Sequence, residues 1–134
     1  MALDVGLLRT SFDLVLERNP NLTARFYDVL FARHPEVKPL FVRTGRQEQE
    51  AMLAQALVSV MDHLEDAPWL AQTLGALGER HTGYGVTPIM YDWVGDALIA
   101  TLAESAGRDW TQEMNKQWTA AFGAIASMMC PSRA

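Results

Sequence analysis

Apolar residues recur every three to four positions along almost the whole chain, which is the spacing of one face of an α-helix. The clearest example places Leu70, Leu74, Leu77 and His81 on a single face. No segment shows the sustained alternation of apolar and polar residues that is typical of a half-buried strand. The sequence therefore predicts an all-α protein.

Residues that cap or interrupt helices divide the chain into six predicted helices. These residues are Asn19-Pro20, Asn21, His34-Pro35, Gly45, Asp66, Gly83, Thr87, Gly107 and Thr111. The first helix is expected to run from Leu3 to Arg18, and the inward faces of later helices to include Met52 and Ile89. Helices of unequal length with short connections favour a crossed packing, and such a packing leaves a wedge that a flat apolar cofactor would fill.

Length and charge exclude several classes of function. The 134 residues predict one domain, spanning 1–134, with room for a sizeable core. The net charge of −5 and the lack of a Lys/Arg cluster argue against a nucleic-acid partner. No apolar run reaches the roughly 20 residues that span a bilayer, so no membrane association is expected. The start of the chain does not look like a signal peptide, and the cytoplasm is the expected location.

His81 occupies a position where the apolar stripe would otherwise carry a leucine. A ring nitrogen in an apolar interior needs a partner, because burying an unpaired polar group costs roughly 1–3 kcal/mol. Two partners are open: a backbone carbonyl, or a metal ion, for which imidazole is a common ligand. The single cysteine, Cys130, excludes a disulfide within the chain and a cysteine-based metal site.

Four segments carry a resemblance to a known family. They are residues 77–86 (LGERHTGYGV), residues 91–98 (YDWVGDAL), Leu40-Phe41 after a proline-containing corner, and residues 118–124 (WTAAFGA). Together they make the chain similar to the bacterial single-domain globins and to the globin half of flavohaemoglobins, with some likeness to neuroglobin. The resemblance covers essentially the whole chain and implies a globin fold, with crossed helices around a haem pocket.

The resemblance implies haem b (iron protoporphyrin IX) as cofactor and His81 as the ligand of its iron. Phe41 matches the phenylalanine that packs against the porphyrin, and Tyr27 matches the position that faces a bound gas. Counting back from His81 places Gln49 at the distal position and Leu53 one turn deeper. Because the preceding loop can shift this alignment, Gln47 or Glu48 remain alternatives to Gln49.

Further residues are candidates around the porphyrin. Arg80 is a candidate partner for a haem propionate, or else a solvent-facing arginine. Tyr91 matches a tyrosine that, with a glutamate, tunes the proximal histidine in flavohaemoglobins. The glutamate has no counterpart here, which favours a backbone carbonyl as the acceptor for His81. The remaining lining candidates, each of which is also an ordinary core residue, are Phe26, Leu77, Val86, Val94 and Ile125.

A tyrosine and a glutamine on the distal side imply reversible, high-affinity binding of O2, because both side chains can donate a hydrogen bond to the bound gas. Tyr27 could instead be a boundary tyrosine and Gln49 a solvated helix residue. NO and CO are further expected ligands, and dioxygenation of nitric oxide to nitrate would require an external reductase. The alternatives are oxygen storage or delivery, a gas or redox sensor, and a haem-free interaction module.

Overall fold

The computed structural model describes residues 3–42 and 45–131, and within these ranges all regular secondary structure is helical. The α-helices are α1 (Val5–Arg18), α2 (Leu22–Arg33), α3 (Arg46–Asp62), α4 (Ala67–Gly83), α5 (Pro88–Ala106) and α6 (Gln112–Met129). Two 3-10 helices, Pro35–Phe41 and Gly107–Asp109, connect α2 to α3 and α5 to α6. The all-α prediction is confirmed. None of the described helices is long and apolar enough to span a bilayer.

Two of the predicted cap residues begin their helices through side-chain hydrogen bonds. The Asp66 carboxylate accepts from the backbone N–H of Trp69 at the start of α4. The Thr111 hydroxyl accepts from the backbone N–H of Met114 at the start of α6. Each bond satisfies one of the N–H groups that a helix start leaves without an intrahelical partner.

At two other helix starts the prediction was wrong in detail. The first helix begins at Val5 and not at Leu3, because the Asp4 carboxylate caps it by accepting from the backbone N–H of Leu7. Asn21 lies at the predicted cap position of α2, but its side chain makes no capping hydrogen bond. Asn21 therefore marks the start of α2 as predicted, although the expected capping hydrogen bond is absent.

The main core lies between α1, α2, α5 and α6, with Val37 and Met61 contributing from the first 3-10 helix and α3. The most extensive contact is that of α2 with α5, whereas α4 packs mainly on α6. The Trp118 indole N–H donates to the Ser11 hydroxyl at 2.8 Å inside this core, which joins α6 to α1. A buried indole N–H needs such a partner.

Met52 and Ile89 are not inward-facing, contrary to the prediction. Met52 is 48% exposed and Ile89 is 51% exposed. Met52 lies on α3, which packs mainly against α2, and its side chain points away from the face that carries Leu53 and Met61 into the core. Ile89 lies in the first turn of α5, ahead of the part of that helix that enters the core. Apolar periodicity identifies a helical face, but it does not show whether another element covers that face.

Gly78 allows α4 and α6 to approach each other closely. A Cβ built on Gly78 would lie 1.9 Å from the backbone oxygen of Met129, a distance that no side chain can occupy without moving the backbone. Gly78 precedes His81 by about one helical turn, so this contact also fixes the position of His81 relative to α6.

Gly78→Ala is expected to destabilise the protein by roughly 1–3 kcal/mol, because the added methyl group forces α4 and α6 apart. The matched control is Gly75→Ala, one turn earlier on α4, where nothing lies within 4 Å of the added Cβ. There the change to alanine is expected to raise the free energy of unfolding by about 0.5–1 kcal/mol through helix propensity. Urea unfolding of the two variants measures both effects, and equal stabilities would contradict the close approach.

Candidate functional site

A cavity of about 360 Å³ lies between α2, the first 3-10 helix and the first turn of α3. The described residues that line it are Tyr27, Phe31, Lys38, Phe41, Val42, Arg46 and Gln49. The two residues predicted for the gas-facing side, Tyr27 and Gln49, therefore lie in one cavity with Phe41, which was predicted to pack against the porphyrin. Each comes from a different element, so the tertiary fold brings them together.

Aromatic rings form one wall of the cavity. Tyr27 and Phe41 meet edge to face, with ring centroids 5.6 Å apart, and Phe31 lies 5.8 Å from Tyr27 and 5.4 Å from Phe41. Behind them, Phe26 packs edge-on against Tyr27 at 5.0 Å. Edge-to-face pairs at these distances are favourable and restrict ring orientation. The Tyr27 ring is thus held on both sides.

Tyr27 and Gln49 line the same cavity, near enough for Gln49 to lower the pKa of the Tyr27 hydroxyl. Burial has the larger, opposite effect and raises the pKa of Tyr27 above its ordinary value. The raised pKa keeps the phenol neutral at physiological pH, so the hydroxyl retains a proton to donate. The alternatives to Gln49, which are Gln47 and Glu48, are exposed and do not line the cavity.

His81 is partly buried near the end of α4. Its Nδ1 donates to the backbone carbonyl oxygen of Leu77 at 2.8 Å. The sequence favoured a backbone carbonyl as this partner. With the proton on Nδ1, the lone pair of Nε2 is left to bind another group. The bond to Leu77 therefore satisfies one ring nitrogen and leaves the metal alternative open for the other.

The apolar stripe that carries His81 is buried at one end and open at the other. Leu70 and Leu74 are buried, whereas Leu77 and His81 are only partly covered. His81 does not line the cavity described above. The turn after α4 nevertheless reaches the first 3-10 helix, because a Cβ on Gly85 would lie 3.7 Å from the Leu40 side chain. The His81 segment and the Phe41 segment are thus neighbours.

Tyr91 lies in a second, smaller cluster with Ala126 and Cys130. Its hydroxyl is buried and has no hydrogen-bond partner among the described residues. Burial raises its pKa, and the neighbouring Cys130 raises it further. His81 donates to the Leu77 carbonyl and not to Tyr91, so Tyr91 makes no direct polar contact with the histidine.

The other predicted lining residues differ in how far they are buried. Phe26 is buried in the main core, and Leu53 and Val94 pack against that core while partly exposed. Val86 packs in the Tyr91 cluster. Ile125 is partly buried.

Arg80 is exposed, and within ranges 3–42 and 45–131 it forms no ion pair. The structure therefore places it where a negatively charged group outside the protein could approach it. Its assignment to a propionate stays a prediction.

Four residues that line the cavity were not predicted from the sequence: Phe31, Lys38, Val42 and Arg46. Phe31 follows Tyr27 by four positions, which places both on one face of α2, so helical spacing could have identified it. Arg46 precedes Gln49 by three positions on α3 and could have been found in the same way. Lys38 and Val42 lie in and just after the 3-10 helix, where no comparable periodicity exists.

The model of the globin family matches residues 24–129, which include α3 to α6 and most of α2. The chain belongs to the globin family. The flavohaemoprotein of Vibrio cholerae is 29% identical to this globin over 128 residues, which cover 92% of the chain and 32% of the relative. This globin thus spans about a third of the length of the flavohaemoproteins that it matches.

Two solved structures are similar to this globin along most of its length. One is a carbene transferase engineered from a candidate nitric oxide dioxygenase of Rhodothermus marinus, with a TM-score of 0.82, 23% identity, and coverage of 96% of this chain and 89% of that one. The other is a Pseudomonas aeruginosa protein described as highly homologous in structure to a human haemoglobin. Its TM-score is 0.82 at 21% identity, with 93% and 94% of the two chains covered. At these identities the likeness establishes the globin fold alone.

Membership in the globin family implies a haem cofactor, and the side chains present fit one. Among the described residues no group of three or more His, Cys, Asp or Glu could hold a metal ion by itself. The partly buried imidazole of His81 offers one nitrogen, and the partly exposed Leu77 lies one turn earlier on the same face of α4. A single imidazole suits an iron whose other ligands come from a porphyrin and not from the protein.

Proposed function

We propose that this globin binds haem b through Nε2 of His81 and holds O2 reversibly, with high affinity, in the cavity of Tyr27 and Gln49. The observation that carries the proposal is that Tyr27 and Gln49, two neutral hydrogen-bond donors, line one cavity beside the aromatic ring of Phe41. A pair of neutral donors in such surroundings fits a small polar ligand that accepts hydrogen bonds.

The haem, when bound, supplies the iron to which a diatomic gas (O2, NO or CO) attaches. The Leu77 carbonyl fixes the ring orientation of His81 and makes its Nε2 a better electron donor, since it accepts the Nδ1 proton. Phe41 packs against the porphyrin from the 3-10 helix, and Arg80 pairs with a propionate. Leu53, Leu77, Val86, Val94 and Ile125 supply apolar contacts.

On the gas side, the Tyr27 hydroxyl and the Gln49 amide donate to the ligand. A hydrogen bond to a charge-bearing acceptor contributes roughly 1.5–3 kcal/mol, and the aromatic wall reduces the competition from water. Tyr27 remains protonated because burial raises its pKa. These donors slow the release of O2 more than the release of CO, which accepts hydrogen bonds less well.

The proposal extends to dioxygenation of nitric oxide. Flavohaemoproteins are among the relatives, and the engineered structural neighbour derives from a candidate nitric oxide dioxygenase. The overall reaction converts NO, O2 and one electron into nitrate. The electron must come from outside the described residues, and an external reductase is the proposed partner. Retention of O2 by Tyr27 and Gln49 gives NO time to react before O2 leaves.

The test begins with an absorbance spectrum of protein expressed with ample haem precursor. We expect a strong Soret band, with shifts on reduction and on addition of O2 or CO. A colourless protein would contradict the proposal and favour a haem-free interaction module. Consumption of NO by the oxygenated protein, with an added flavin reductase and NADH, is then measured for the native chain and for the variant Tyr27→Phe with Gln49→Leu.

We expect the native chain to consume NO at least about tenfold faster than the double variant, because each lost donor shortens O2 residence by a comparable factor. Equal rates would defeat the dioxygenase part of the proposal. Gas binding without turnover would then leave storage, delivery or sensing as the activity.

A further inference from the structure

We propose that Arg46 is a positioning residue that anchors the first turn of α3 to α2 and thereby keeps Gln49 beside Tyr27. The functional consequence rests on the function proposed above, whereas the anchoring itself does not require haem. Arg46 lines the cavity but contributes no donor to the Tyr27–Gln49 pair.

The start of α3 has no side-chain cap. Gly45 occupies the N-cap position and has no side chain with which to accept from the first N–H groups. The backbone N–H of Gln49 closes the first turn by donating to the Gly45 carbonyl at 3.0 Å. A helix start without a side-chain cap frays more readily. Gln49 lies in this first turn, so its position depends on contacts with other elements.

Arg46 supplies those contacts. Its Nη2 donates to the backbone carbonyl of Ala24 at 2.7 Å and to the Asp28 carboxylate at 2.6 Å, both on α2. Its Nε donates to the Glu50 carboxylate at 2.8 Å within α3. Ala24 and Asp28 lie three residues before and one residue after Tyr27. The guanidinium therefore joins the turn that carries Gln49 to the turn that carries Tyr27.

The placement of an arginine at this helix start is electrostatically unfavourable by itself. The N-terminus of a helix carries partial positive charge, and acidic side chains are the ones it stabilises. Asp28 and Glu50 offset the charge of Arg46. An isolated exposed ion pair contributes little, but a guanidinium bound to three acceptors forms a network with a defined geometry. Such a network is typical of an arginine that holds two helices together, and not of an arginine whose charge is simply solvated.

Arg46 also covers the aromatic wall. Its guanidinium carbon lies 6.0 Å from the centroid of Phe31, which contacts both Tyr27 and Phe41. Loss of the Arg46 contacts would therefore loosen the first turn of α3 and, at the same time, expose the aromatic wall. Both changes move Gln49 away from the Tyr27 hydroxyl.

The first experiment measures O2 dissociation from the haem-loaded protein. We expect Arg46→Gln and Asp28→Asn each to speed dissociation about fivefold, a coupling typical of contacting residues. On a Gln49→Leu background the same changes are expected to alter the rate less than about twofold, because the residue being positioned is gone. Arg46→Lys, which keeps the charge but loses the planar fork, is expected to be intermediate.

The matched control is Arg25→Gln. Arg25 forms an exposed two-bond ion pair with Glu104 that joins α2 to α5, away from the cavity. Its loss removes a comparable interhelical ion pair from the same helix, and we expect the O2 dissociation rate to stay unchanged. An equal acceleration in Arg25→Gln, or an Arg46→Gln effect that persists in full on the Gln49→Leu background, would overturn the proposal.

The second experiment uses hydrogen exchange of the full chain without haem. We expect Arg46→Gln and Asp28→Asn to speed amide exchange in residues 46–50 about tenfold, while Arg25→Gln leaves that segment unchanged. Unaltered exchange in both anchor variants would overturn the proposal. If the protein binds no haem at all, the proposed function fails, but this measurement still decides whether Arg46 anchors α3.

Discussion

We expect His81→Leu to lose haem binding almost completely, because the only protein ligand proposed for the iron is then missing. Loss of a group that merely supports a metal ligand weakens metal affinity roughly 10–100-fold, so loss of the ligand itself is expected to cost more than about 100-fold. Titration of haem into the purified apoprotein, followed at the Soret band, measures the affinity. In His81→Gly the affinity is expected to recover when free imidazole is added, since the ring can occupy the vacated space.

The matched control is His63→Leu, because His63 and His81 make the same local hydrogen bond. Nδ1 of His63 contacts the Ser59 carbonyl at 2.7 Å, four residues earlier, as Nδ1 of His81 contacts the Leu77 carbonyl. The His63 ring differs in being stacked on Trp69 at 3.7 Å, with its plane nearly parallel to the indole. We expect His63→Leu to bind haem normally. Equal losses in the two variants would show that a general structural effect, not ligation, causes the loss.

The same comparison explains why His81 could be identified from the sequence. His81 continues a stripe that begins with two buried leucines, so its side chain must approach apolar surface. His63 follows α3 as its C-terminal cap and belongs to no such stripe. Helical spacing distinguishes these two environments without a structure. It cannot show which ring nitrogen stays available, because that depends on the carbonyl contact.

Local signals also predicted much of the fold. Asp66 and Thr111 cap their helices because a short acceptor side chain at that position satisfies a nearby N–H within the same turn. Contacts between distant segments carry no such local signal. The close approach of Gly78 to Met129 and the anchor from Arg46 to Asp28 depend on how whole helices are placed. Tyr27 and Gln49 were therefore predictable from the sequence, whereas Arg46, the residue that joins their helices, was not.

The second large effect is expected on O2 dissociation, when the hydrogen-bond donor of either Tyr27 or Gln49 is removed. Tyr27→Phe deletes the hydroxyl and keeps the ring that packs against Phe26, Phe31 and Phe41. Gln49→Leu deletes the amide at similar volume. Each change is expected to speed O2 dissociation from about tenfold to about a hundredfold, which corresponds to a lost hydrogen bond of roughly 1.5–3 kcal/mol. Stopped-flow displacement of O2 by CO measures the rate.

Two neighbouring residues provide matched controls. Gln47→Leu changes an exposed glutamine two positions from Gln49, and Tyr84→Phe removes a hydroxyl from an exposed tyrosine whose ring lies 6.4 Å from that of His81. Neither lines the cavity, so we expect neither to alter O2 dissociation. A larger effect from Gln47→Leu than from Gln49→Leu would mean that the distal residue had been assigned to the wrong position of α3.

The two donors are also expected to act together, because Tyr27 and Gln49 line one cavity and Gln49 lowers the pKa of the Tyr27 hydroxyl. Loss of one partner leaves the other free to turn away, so the effects of the single changes are not expected to multiply in the double variant. The pH dependence gives an independent measure of the Tyr27 contribution. Because burial raises the pKa of Tyr27 above 10.0, its hydroxyl stays protonated and the native dissociation rate is expected to be constant from about pH 6 to about pH 9. At higher pH the phenol ionises and can no longer donate, so the native rate is expected to rise toward that of Tyr27→Phe, whereas the variant shows no such rise.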